Sequence, residues 1–135
     1  MSTCDNENKF KDRMNGHIKK KLSFKCGNKT YISVDGHFEY NNKLYLLEID
    51  SGNEAKLLAG QYVLINALWK DICLNGKTYN IKQCVFLVVH YYKDYNPNRT
   101  INVLSKLKEE FKLSLEFKAC HENQVASWNE FINLI

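Results

Sequence analysis

Phe10, Met14 and Ile18 recur at every fourth position among polar neighbours, which predicts a helix over residues 5–20 with one apolar stripe. Gly16 is a weak point within it. After Lys21 the period changes to two. Leu22, Phe24 and Cys26 alternate with polar residues, as in a half-buried strand, and Gly27-Asn28 is a turn dipeptide that tolerates positive φ. An extended run from Lys29 to Tyr40 follows, in which Gly36 marks either a bulge or a close backbone approach. Asn41-Asn42 is a second two-residue turn, and Lys43 to Asp50 is then apolar on nearly both faces, as befits a strand inside a sheet. Three consecutive strands are expected to run as a meander.

Ser51-Gly52-Asn53 breaks the sheet and caps a helix, with Glu54 in the first turn, where the helix dipole favours an anion. Residues 54–70 are apolar around most of the helical circumference and predict a buried helix. Gly76 lies in a turn. Gln83 to Tyr91 reads as a buried strand, Thr100 to Lys112 as an amphipathic helix on Ile101, Leu104, Leu107 and Phe111, and Leu113, Leu115 and Phe117 as a last strand. Trp128, Phe131 and Ile132 suggest a short terminal helix. The alternation of strands and helices in the second half calls for parallel pairing through crossovers. The expected fold class is α/β: a mixed sheet with helices on both faces.

Composition narrows the class. The 135 residues, with 44% hydrophobic and 13% aromatic content and a single proline, suit one domain over residues 1–135 with a packed core. Residues 1–21 are polar and basic, unlike a secretion signal, and no run reaches the length of a membrane span. The five cysteines form no CxxC pair, so they read as reduced thiols, and the expected location is cytoplasmic. Between Lys9 and Lys29, eight Lys or Arg stand against Asp12 alone, so this segment carries +7 and the remainder −3. A basic stretch of this kind faces either phosphates or only solvent.

Candidate chemistry comes from the Asn41-Asn42 turn. A two-residue loop pairs Tyr40 with Lys43, and counting back along the ladder sets Asp35 opposite Glu48. Directly opposed residues have Cβ atoms about 5 Å apart, and Asp50, diagonal to Asp35, about 7–8 Å away. Like charges so close at the end of an apolar strand are costly, and either a proton or a cation relieves them. Oxygen-only ligands suit Mg²⁺ or Mn²⁺. A bulge at Gly36 would instead separate the two acids.

The block of Asp35-Gly36, then Leu47-Glu48-Ile49-Asp50 on the next strand, then a helix resembles the PD-(D/E)XK nuclease superfamily. The order helix, three strands, helix, strand over residues 5–92 resembles its restriction-endonuclease-like core, here followed by helix, strand and helix. The same block is similar to the plasmid replication-relaxation family. The resemblance implies Asp35, Glu48 and the carbonyl of Ile49 as metal ligands, and Glu7 as an extra acid of the kind some members use. The i+4 spacing of Glu7 to Lys11 makes a solvent-exposed pair the simpler expectation for it. Val34 stands where the motif has proline, and Asp50 where it has lysine. A lysine or glutamine from the following helix is the expected replacement, and Lys56 and Gln61 are the candidates. Five positions of helix, about 140° of rotation, separate them, so they do not point equally at one site. Gln61 is favoured because its amide needs a partner on so apolar a helix.

The expected function is a Mg²⁺- or Mn²⁺-dependent endonuclease acting on DNA, structured or branched, of restriction, repair, resolvase or mobile-element type. Asp35, Glu48, Asp50, Gln61 and Lys56 form its catalytic candidates. Lys19, Lys20, Lys21 and His37, two residues from Asp35, are candidates for contacting the nucleic acid. The resemblance also implies a second copy or a separate recognition subunit as partner, and no membrane. The alternative is a non-catalytic nucleic-acid-binding or replication-control module on the same fold, which the absent motif lysine favours. His17, His90 and His121 show no partner pattern and read as structural.

Overall fold

The computed structural model describes residues 3–52 and 55–135, with side chains from Asp5 onward. Asn53 and Glu54, expected to cap and charge the second helix, lie outside the described residues. Helix α1 (Thr3–Arg13) is shorter than its apolar stripe, because Asn15 and Gly16 take positive φ of 53° and 82° and end it. Ile18 nevertheless stays buried beside Phe10 and Met14, on an extended segment rather than on the helix.

The run from Lys29 to Tyr40 is two strands. β1 (Leu22–Cys26) pairs antiparallel with β2 (Lys29–Val34) as a separate two-stranded sheet. β3 (Gly36–Tyr40) begins a new sheet with β4 (Lys43–Asp50), so the expected three-strand meander is split at Asp35. After α2 (Ala55–Leu68) comes a hairpin that hydrophobic periodicity did not reveal, β5 (Asp71–Leu74) and β6 (Lys77–Asn80). Its signal was the Asn75-Gly76 dipeptide, whose φ values of 51° and 79° suit a tight hairpin turn. β7 (Cys84–His90), α3 (Asn98–Phe111), β8 (Glu116–His121) and α4 (Trp128–Leu134) complete the chain.

The main sheet has the order β3-β4-β7-β8. β3 is antiparallel to β4, and β4, β7 and β8 are mutually parallel, so the sheet is mixed as expected. Leu113 and Leu115 alternate like a strand but precede β8. Lys112 turns the chain at φ 51°, the Leu115 N–H donates to Asn66 Oδ1 at 2.9 Å, and the Leu115 carbonyl accepts from the Tyr62 hydroxyl. Helix α2 therefore claims the polar groups that a ladder would have used.

β4 is buried at every position after Lys43, which is why it reads apolar on both faces. Its even positions Leu44 and Leu46 pack with Phe86 and Val88 against Leu58, Tyr62 and Ile65 of α2 and Leu104 of α3. Its odd positions Tyr45, Leu47 and Ile49 pack against Phe10 of α1, Met14 just after it and Phe131 of α4. Helices thus cover both faces. α2 is less buried than its composition predicts: the stripe Leu58, Tyr62, Ile65 faces the sheet, while Leu57 is 59% exposed. On α3, Phe111 is 67% exposed. Among the described residues no helix is long and apolar enough to cross a membrane, and Cys26, Cys73, Cys84 and Cys120 are free thiols.

Candidate active site

Asn41 and Asn42 adopt φ of 52° and 62°, the left-handed pair that a tight hairpin turn demands. The turn sets the register Tyr40↔Lys43, which runs unbroken to Gly36↔Leu47. One step further, Asp35 leaves the ladder, yet it stays opposite Glu48. Its main-chain N–H donates to Glu48 Oε2 at 3.2 Å, and its Oδ2 accepts from the Ile49 N–H at 2.8 Å. No bulge interrupts β3 at Gly36. The glycine serves a close approach instead: a Cβ there would lie 2.7 Å from Ile18 Cγ2 and 3.1 Å from the Lys19 carbonyl oxygen. The segment carrying Ile18 and Lys19 crosses there and exchanges main-chain hydrogen bonds with His37 at 2.7 and 3.4 Å.

Asp35, Glu48 and Gln61 meet in a cavity of about 280 Å³ at the end of β4, which Glu7, Ile49 and Asp50 also line. Gln61 Nε2 donates to Glu48 Oε1, which gives the polar residue of an apolar helix its partner. Burial, then the hydrogen bond and charge of the neighbouring Asp35 carboxylate, push Glu48 up to about 9, against the opposing pull of the Gln61 amide. Glu7 is raised as well, first by burial and then by Asp35, with Lys11 and Lys21 acting in the opposite direction. Its carboxyl therefore belongs to this cluster and is not simply a surface partner of Lys11. Asn6 Nδ2 donates to Ser51 Oγ at 2.8 Å, which ties the start of α1 to the end of β4 and holds Glu7 over the site.

Sequence reasoning assigned Lys11 no role in the site. Its Nζ donates to the Asp35 main-chain carbonyl at 2.8 Å, so an ammonium group stands beside the carboxylates from α1 rather than from α2. The i+4 spacing to Glu7 was its only signal. Lys56 lines a different groove, with Tyr31 and Ser33, and does not line the carboxylate cavity. Lys19 and Lys20 are exposed and, with His37, line a separate cavity along β3, while Lys21 is felt electrostatically by Glu7.

Asp50 is bound more firmly than sequence suggested. Its Oδ2 accepts from His90 Nδ1 at 2.9 Å, its Oδ1 accepts from the Gly52 N–H at 3.3 Å, and His90 Nε2 lies 2.9 Å from Thr100 Oγ1. Because a carboxylate only accepts, a His90 proton sits on Nδ1, and Nε2 shares its hydrogen bond with the Thr100 hydroxyl. His90 thus has a partner that the sequence did not show, brought beside Asp50 by the parallel β4–β7 register. His121 is structural: its Nε2 donates to the Lys93 carbonyl at 2.6 Å and its Nδ1 accepts from the Asn123 N–H at 3.2 Å.

The carboxyl groups of the cavity offer oxygen ligands, which fit a hard divalent cation by chemistry. Without a cation, a proton on Glu48 shared with Asp35 relieves the repulsion. Among the described residues no three His, Cys, Asp or Glu side chains are grouped around one point that would hold an ion. Comparison with family models, curated proteins and solved structures returns no match.

Proposed function

We propose that the chain is a divalent-metal-dependent endonuclease that hydrolyses phosphodiester bonds in DNA, on a restriction-endonuclease-like arrangement of its mixed sheet. The observation that carries this reading is the meeting of Asp35 and Glu48 at the end of β4, with Glu48 pushed up to about 9 in the absence of a cation. A buried carboxyl beside a second, partly buried one, raised first by burial and then by that neighbour, is the kind of perturbed group that catalytic sites carry. Asp35, Glu48 and the Ile49 carbonyl would hold Mg²⁺ or Mn²⁺, and the ion supplies charge neutralisation at the scissile phosphate. Gln61 orients the Glu48 carboxylate through its amide. Lys11, beside Asp35, supplies a positive charge near the phosphate that the position of Asp50 lacks.

A second reading has its own support. The carboxylate of Asp50 is engaged by His90 and Gly52, and Lys11 is spent on a main-chain carbonyl, so neither is held free to activate water. A non-catalytic nucleic-acid-binding or replication-control module would have this character. Incubating the purified chain with plasmid, single-stranded and branched DNA in Mg²⁺ or Mn²⁺ separates the two readings. The nuclease reading expects cleavage that Asp35→Ala and Glu48→Ala abolish and that Gln61→Ala lowers by roughly 10–100-fold. Cleavage of none of these, or equal cleavage by Glu48→Ala, overturns it.

A further inference from the structure

β3 is an outer strand of the main sheet, and among the described residues the Lys19–His37 bridge meets its open edge near its beginning. Past that bridge a cavity of about 620 Å³ opens along the strand. His17 and Trp128 line it as a parallel stack, with ring centroids 4.3 Å apart and planes within 7°. Phe38 and Tyr40 meet Trp128 edge-on and hold its plane in place. Lys19 and Lys20 also line the cavity, and both are exposed. The Lys19 ammonium rests 3.5 Å from the Gly16 carbonyl, a long contact that a phosphate would readily replace. Glu39 is the sole acid of the lining, and the Tyr79 hydroxyl already donates to it. His37 donates Nδ1–H to the Lys20 carbonyl at 2.7 Å, which leaves Nε2 of the neutral ring as an acceptor.

An exposed flat ring already stacked on a second one, two ammonium groups and an acid held by a neighbour together suit a ligand that is planar, aromatic and anionic. A peptide added to the open strand edge would need neither the stack nor the lysines. His37 lines this cavity, and Asp35 lines that of the carboxylates. His37 follows Asp35 by two residues, Asp35 standing immediately before β3, so their Cα atoms are at most about 7 Å apart, on the scale of one extended nucleotide.

We propose that this cavity takes an unstacked base of single-stranded DNA, laid on the His17–Trp128 stack, with the adjoining phosphates on Lys19 and Lys20. The inference rests on the carboxylate site acting on or holding DNA. It adds the substrate class: a single strand, or the frayed or branched part of a duplex, since paired bases are hidden from such a pocket.

Fluorescence anisotropy with the full chain in EDTA, where metal-dependent cleavage cannot occur, tests this on three labelled probes. These are a short oligothymidine, an abasic strand of the same length and charge, and the corresponding duplex. The oligothymidine binds roughly ten-fold more tightly than either of the others, in the range that base–aromatic stacking supplies. His17→Ala removes that advantage and leaves abasic binding unchanged, whereas Lys20→Ala weakens both strands and lowers the salt dependence. Tryptophan emission is quenched by oligothymidine in the wild type and not in Trp128→Phe. Equal affinity for intact and abasic strands, preference for the duplex, or wild-type binding by His17→Ala overturns the proposal. Metal-dependent cleavage with no base-dependent binding overturns this inference alone, and base-dependent binding with no cleavage overturns the nuclease reading alone.

Discussion

His90 donates its Nδ1–H to Asp50 across 2.9 Å, with the ring wholly buried and the carboxylate nearly so. This bond gives the acid at the end of β4 a fixed partner and a fixed direction. The ring is held from its other side by Thr100 and packs against Tyr95 at 4.5 Å, so it has little freedom to turn away. His90→Ala would leave a buried carboxylate without its main donor, at a cost of about 3 kcal/mol. Thr100→Val removes one hydroxyl and costs about 1 kcal/mol. Urea denaturation of the two variants and of Asp50→Asn/His90→Ala measures this, with the double variant recovering part of the loss. A cost below about 0.5 kcal/mol for His90→Ala would mean that Asp50 needs no partner.

Glu48 makes the fold pH-dependent in the direction opposite to an ordinary surface acid. Its folded-state value, about 9, lies above the usual carboxyl range, so the folded chain keeps a proton that the unfolded chain releases. The contribution of this group to stability is complete below the unfolded carboxyl pKa and is lost as pH rises toward 9, by up to about 1.4 kcal/mol per pH unit. Glu48→Gln keeps the shape and removes the titration. Its melting temperature at pH 8 therefore exceeds that of the metal-free wild type, and the two converge near pH 4. Mn²⁺ raises the wild-type melting temperature at pH 8 and leaves the variant unmoved. Thermal melts across this range decide the point: parallel profiles for the two proteins would show that Glu48 ionises freely.

The Asp35–Glu48 juxtaposition was legible because it depends on a short-range feature, the Asn41-Asn42 turn, propagated along a ladder of fixed period. Gln61 was legible for a similar reason, as a lone amide on an apolar helix facing a site that needed a donor. His90 and Lys11 were not, because their partners lie 40 and 24 residues away and are set by how β7 and α1 pack, which no local pattern encodes. The same limit applies to β8. The alternation of Leu113 and Leu115 resembles a strand, but Tyr62 and Asn66 of α2 outcompete the ladder for the Leu115 main chain. The split of the 29–40 run at Asp35 was hidden too. Residues on both sides of it favour extended structure, and only the change of partner from β1 to β4 separates them.

Gly36 is the point where this packing meets the site. A methyl group there would stand 2.7 Å from Ile18 Cγ2 and 3.1 Å from the Lys19 carbonyl, and the second neighbour is main chain that cannot rotate aside. Gly36→Ala must therefore push the 18–20 segment off β3 or bend the strand next to Asp35. The expected cost is about 1–3 kcal/mol, typical of overpacking in a filled core. Removing the nearer neighbour's Cγ2 in Gly36→Ala/Ile18→Ala relieves that contact, while the clash with the Lys19 carbonyl persists, so the coupling between the two changes is favourable but incomplete. Displacement of the segment also breaks the Lys19–His37 bridge, whose two amides should then exchange with solvent faster than those of the β4–β7 ladder. Hydrogen exchange together with denaturant unfolding tests both consequences. Wild-type stability in Gly36→Ala, with unchanged protection at Lys19 and His37, would show that the segment does not press on β3 in solution.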